Sequence, residues 1–88
     1  MTQKNPHEML EQVSSPEDLA QFVTALRRHL AEAPDQWENH TLTDYLEAMS
    51  AWLLDANKNE GTIAHGILSK GPSWRTFANI LLAASVYE

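Results

Sequence analysis

Four histidines, twelve acidic residues and no cysteine define the chemistry open to this chain of 88 residues. His7 and Glu11 stand at i and i+4, a spacing that places two ligands on one helix face. Two such ligands fall short of the roughly four that close a zinc site. His29, His40 and His65 are isolated in sequence, and the lack of cysteine excludes thiolate sites, so no metal set is expected. His29 falls at the edge of the apolar side of its segment, which suits a packed or half-exposed histidine. Asp44 and Glu47 are one helical turn apart, and Asp55 follows about three turns after Asp44. Paired carboxylates do acid–base work when burial or mutual repulsion shifts one of them. These three face away from the apolar side of their segment, so helix capping is expected for Asp44 and a solvated or docking face for the rest.

Nucleophilic catalysis has no candidate. The chain holds no Cys, no G-x-S-x-G, and no Ser with an evident His and acid partner. Its glycines match neither G-x-x-x-x-G-K nor G-x-G-x-x-G, so no phosphate loop is present. The residues point to a non-enzymatic protein with no catalytic residue, no cofactor and no metal.

The element that must carry Asp44, Glu47 and Asp55 lies within Trp37 to Asp55, WENHTLTDYLEAMSAWLLD. Thr41 reads as the N-cap of a helix, with Asp44 three residues on as a variant capping box. Leu42, Tyr45, Leu46, Met49, Trp52, Leu53 and Ala56 then fall on one side of a helical wheel. Asp44, Glu47 and Asp55 fall roughly opposite, together with Ala51 and Leu54. The helix is predicted to fade between Asn57 and Glu60. Trp37 belongs to the connection from Asp35 to His40, ahead of the cap.

Start signals place the other helices. Asn5-Pro6, with Glu8 following, opens a short helix running to about Val13. Ser15-Pro16-Glu17-Asp18 is a stronger start, with a cap, a proline in the first turn and acids at the positive end of the helix dipole. Leu19, Phe22, Val23, Leu26, Leu30 and Ala33 recur at helical spacing until Pro34, which drives the residue before it out of the α region. Gly71-Pro72-Ser73 opens a last helix that carries no charge between Arg75 and Glu88. Its apolar residues run nearly all round, which predicts either the central helix of a bundle or an oligomer interface. Between lies Asn59 to Gly71, where Gly61, Gly66 and Gly71 argue for irregular backbone. A flexible loop or a short turn of helix there fits equally. The whole reads as all-α: one helical domain over residues 1–88, a small bundle of three main helices plus a short N-terminal helix, with a flexible or irregular connection at about 59–71.

Charge narrows the partners. The formal net charge is −6, and no Lys or Arg occurs between Arg28 and Lys58, whereas Glu32, Asp35, Glu38, Asp44, Glu47 and Asp55 all fall in that gap. Phosphate binding needs clustered Lys and Arg, so neither nucleic acid nor an anionic membrane is an expected partner. The longest apolar stretch, Phe77 to Val86, is interrupted by Asn79 and Ser85 and falls short of the roughly 20 residues that span a bilayer. The beginning, MTQKNPHEML, has no apolar run for a signal peptide, and the expected location is the cytoplasm.

Three motifs together carry a resemblance. Ser15 to Leu19 reads S-P-E-D-L, Trp37 to Trp52 reads W-E-N-x-T-L-x-D-Y-L-E-A-M-x-A-W, and Pro72 to Glu88 reads P-S-W-x-x-F-A-x-I-L-L-A-A-x-x-Y-E. The combination resembles a small bacterial domain family of unknown function, over nearly all of the chain from about Val13. That resemblance implies a bacterial, stand-alone helical domain and brings no catalytic residue. In size and charge the chain is similar to immunity proteins that neutralise basic nuclease toxins, an analogy rather than kinship. The leading expectation is a protein-interaction module that docks a partner with a basic surface through Asp44, Glu47, Ala51, Leu54 and Asp55. The alternatives are a homodimer formed through the last helix, and a ligand site or enzyme lined by Trp37, Tyr45, Trp52 and Trp74.

Overall fold

The computed structural model describes residues 5–88, so the first four residues of the expected 1–88 domain lie outside it. The described residues are helical, with no strand. In chain order the helices are α1 (Pro6–Met9), α2 (Pro16–Glu32), α3 (Leu42–Lys58), α4 (Ile63–Ser69) and α5 (Trp74–Val86). Two 3-10 turns, Leu10–Gln12 and Pro34–Gln36, follow α1 and α2.

The start signals act as the sequence predicts. Asn5 accepts from the Glu8 amide at 3.0 Å, Ser15 from the Asp18 amide at 3.1 Å, Thr41 from the Asp44 amide at 3.1 Å and Ser73 from the Thr76 amide at 3.0 Å. Each satisfies one of the amides that a helix start leaves without a partner. Asp18 also reaches back, accepting from the Ser14 amide and hydroxyl at 3.1 Å each. Those bonds, the amide's foremost, hold its carboxyl below the usual range. Asp44 makes no such return bond, so only half of the predicted capping box forms and its carboxylate is left to the surface.

The connection at about 59–71, predicted as a flexible loop or a short turn of helix, holds α4, a two-turn helix, so the described residues form five helices where three main ones and a short N-terminal one are predicted. Thr62 caps it by accepting from the His65 amide at 3.1 Å, and His65 Nδ1 bonds the Ala56 carbonyl at 2.9 Å, in the last turn of α3. That bond needs the proton on Nδ1, since a carbonyl can only accept. Gly61 and Gly71, at φ +89° and +85°, make the sharp reversals on either side.

The molecule is only 18 Å thick along its shortest axis, so little of it lies far from water and the fully buried set is small. Val13, Phe22, Leu26, Trp37 and Ala78 form its centre. Helix α5 is central, packing on α2, α3, α4 and the first 3-10 turn. Among the described residues, five of the ten buried apolar ones are alanines, including Ala48 and Ala56 on α3 and Ala78 and Ala84 on α5, and α3 and α5 pack on each other. Small side chains at a crossing let helix axes approach toward the close end of the ~8–10 Å range.

This packing corrects the predicted face of α3. Leu42 and Leu46 are 72% and 52% exposed, while Ala48, Trp52 and Ala56 form the buried stripe. Tyr45, Met49 and Leu53 flank it. The set 45, 48, 49, 52, 53 and 56 keeps the helical period, rotated toward the small residue.

The last turn of α5 is closed by the connection ahead of α3. The Glu38 and Asn39 amides both donate to the Ser85 carbonyl, at 3.0 and 3.2 Å. The Asn39 side-chain amide donates to the Ala84 carbonyl at 2.9 Å and the Tyr87 carbonyl at 2.8 Å. One turn earlier, the Tyr45 hydroxyl donates to the Leu81 carbonyl at 2.7 Å.

Two outcomes follow. Replacing Asn39 by Ala removes two donors from half-buried carbonyls and should cost about 1–3 kcal/mol in denaturant unfolding. A loss within about 0.5 kcal/mol, the usual surface value, would mean that water replaces the clamp freely. Burial pushes the Tyr45 phenol up from 10.0 to about 12. The unfolded chain therefore loses that proton first, so Tyr45's contribution is complete below pH 10.0 and declines as pH rises toward about 12. Phenolate absorbance should show one ionisation near the upper value that Tyr45→Phe deletes; deletion of a step near 10.0 instead would contradict its burial.

Candidate acidic docking site

Helix α3 places all five expected docking residues on its surface, and divides them. Asp44, Glu47 and Ala51 line a shallow concavity of about 220 Å³, with Ala48 at its base. Its other side comes from Glu38 and Asn39 in the connection, and from Tyr87 and Glu88 beyond α5. Leu54 and Asp55 lie about a turn further along α3, are exposed, and do not line it. Asp55 is held from the other side, because the Tyr87 hydroxyl donates to its Oδ2. The acidic run ends at Lys58, in the last turn of α3.

The clamp on α5 builds this site. By binding the Ala84, Ser85 and Tyr87 carbonyls, Asn39 and the Glu38 backbone bring Glu38 and Glu88 beside Asp44 and Glu47. Sequence reasoning did not find Glu38, Tyr87 or Glu88. No local pattern joins residues 38 and 88; the available signal was Asn39, an amide side chain in a stretch with no helix of its own to cap.

All four carboxylates are exposed. Among the described residues the one ion pair is between Arg75 and Glu11, at 4.0 Å, far along the chain from this cluster. The four carboxylates stand in solvent around one concavity. What they offer is a concentrated negative potential around the small apolar patch of Ala48 and Ala51.

The other candidate residues separate. His7 is exposed on α1, whereas Glu11 sits on the following 3-10 turn, where its carbonyl accepts from Arg75 at 2.6 Å. No group of three or more His, Cys, Asp or Glu arranged to hold a metal ion occurs among the described residues. No helix among them is long and apolar enough to cross a membrane. The four aromatics expected around one pocket do not share one. Trp52 is buried on α3, and Trp74 packs edge-on against Phe77, with ring centres 5.9 Å apart. Trp37 and Tyr45 do meet, at 5.9 Å, beside a different groove. Behind Trp37, its indole N–H donates to His29 Nδ1 at 2.7 Å, which fixes the half-buried His29 as an acceptor at that nitrogen.

No curated protein and no solved structure matches the chain. A family model does, over residues 15–88, from the cap of α2 through the acidic residue at the edge of the concavity. The chain belongs to the family of unknown function DUF7660.

Proposed function

We propose that this protein is a non-enzymatic interaction module that docks a partner with a basic surface into the acidic concavity. The observation that carries this reading is the gathering of Glu38, Asp44, Glu47 and Glu88 around Ala48 and Ala51, with no cation neutralising them among the described residues. Side chains that repel one another add nothing to folding. Asp44 and Glu47, at i and i+3, cost about 0.2–0.5 kcal/mol as a like-charged helical pair. Placed around a small apolar centre, they form the charged rim of an interface and speed the encounter with a positive surface. Leu54 and Asp55 extend the same face along α3 and enlarge the contact.

The test is capture of the partner from cell extract at low salt by the wild-type protein and by the double variant Asp44→Lys, Glu47→Lys. A basic protein should bind the wild type, leave it as salt rises, and bind the variant at least about tenfold more weakly. Glu47→Gln, expected to unfold within about 0.5 kcal/mol of wild type, checks that any loss is not misfolding. A partner held equally by the double variant would contradict the surface assignment.

A second, compatible reading is self-association, supported by an apolar patch at the start of α5. Trp74 and Phe77 are part-exposed there, and Ile63, which shares a surface hollow with Trp74, is 87% exposed. Sedimentation should show dimer at high micromolar concentration, reduced by Trp74→Ala; a monomer throughout would remove this reading.

A further inference from the structure

A second concavity lies on another face of α3 and has opposite chemistry. Val23, Leu26 and Leu30 of α2 form one wall, Leu42 of α3 another, and Trp37 and Tyr45 lie beneath. It is an open groove of about 400 Å³, within the ~300–1,000 Å³ of small-ligand sites. Val23 and Leu42 are exposed in its walls, and Leu46 continues the exposed row one turn along α3. Leaving such side chains in water forgoes burial that the fold could have taken, as the alanine stripe of the same helix does.

The groove has four polar lining residues. They are Arg27, and Asn39, His40 and Thr41 of the connection. Three of these are already engaged: Asn39 with α5, Thr41 with the Asp44 amide, and His40 Nε2 with the Trp37 carbonyl. The exposed side chain of Arg27 makes no hydrogen bond or ion pair with any described residue. On a chain with twelve acidic residues, an exposed guanidinium that lines an apolar groove and has no carboxylate partner keeps its donors open to an anionic ligand.

We infer that this groove binds a small amphiphile: one apolar tail or ring system ending in a single carboxylate or sulfonate. The tail covers Leu42, Val23 and the Trp37–Tyr45 pair, and the head pairs with Arg27. The charge pattern selects this occupant. A neutral ligand leaves the guanidinium unused, and a cationic one is repelled by it. A multiply charged phosphate meets one arginine where it needs several donors. The site is separate from the acidic concavity, and either can fail without the other.

The test uses the full chain, ¹⁵N-labelled, with the three tryptophan indole N–H signals assigned by Trp→Phe substitution. The Trp37 signal is a direct reporter, because its proton is held on His29 Nδ1 beneath the groove. Sodium decanoate should shift that signal saturably below its micelle concentration. Decanol should bind about tenfold more weakly and decyltrimethylammonium not measurably. Arg27→Gln should bring decanoate down to the affinity of decanol, Leu42→Asp should abolish both, and Glu60→Gln, at an exposed residue that lines neither concavity, should change neither. No saturable shift at Trp37, equal affinity for decanoate and decanol, or a response centred on Trp74 would each overturn the inference. So would binding of an acidic amphipathic peptide at Trp37 when decanoate does not bind, which would assign the groove to a protein partner.

Discussion

Helix α5 ends with its final carbonyls in the interior: Ala84 and Ser85 are almost fully buried, and a helix end cannot pair its own last turn. The donors come from outside the helix, from the Glu38 and Asn39 amides and the Asn39 side chain. These bonds do the work that a glycine-based cap does elsewhere, and they do it across more than forty residues of sequence. Much else depends on them. They hold the connection against α5, which seats Trp37 in the core, aims Thr41 at the start of α3, and sets α3 beside α5 closely enough for alanines to suffice. The Tyr45 bond to Leu81 continues the same seam one turn earlier. Both concavities flank this connection, so one clamp positions the acidic face and the apolar groove together.

The parts legible in the sequence are those governed by local rules. The four helix starts capped by Asn5, Ser15, Thr41 and Ser73 need only a side chain and an amide three residues on, and Pro34 ends α2 by clashing with its own neighbour. The parts not legible depend on who packs against whom. Leu42 and Leu46 belong to the apolar period of α3, yet stand in solvent, because α3 packs on α5 and α4 through the side that carries Ala48, Trp52 and Ala56. Hydrophobic size predicts that a helix has a buried side; it does not predict that the closest approach will fall on the smallest residues. Helix α4 was legible only as one of two alternatives. Its glycines argue for irregular backbone, whereas its stability comes from Thr62 at its start and from His65 reaching back to α3. The docking face was half legible. Asp44, Glu47 and Ala51 share a helix and could be grouped by spacing, but Glu38 and Glu88 join them only through the clamp.

The two concavities divide the surface by charge. One gathers carboxylates around small apolar residues, the other large apolar residues beside an unpaired arginine. The family model spans α2 to α5, and the docking reading rests on residues within that span. The W-E-N stretch illustrates how closely fold and surface are joined: Trp37 fills the core, Glu38 faces the acidic site, and Asn39 caps a distant helix.

The central claim is that the Glu38–Asn39 clamp is part of the globally folded structure rather than a loop lying on its surface. Native-state hydrogen exchange of the Glu38 and Asn39 amides tests this most directly. If the clamp closes α5, both amides should exchange only through global unfolding, as slowly as the amides at the centre of α5 and with the same denaturant dependence. Exchange of these two amides by local opening, fast and insensitive to denaturant while α5 stays protected, would contradict the account.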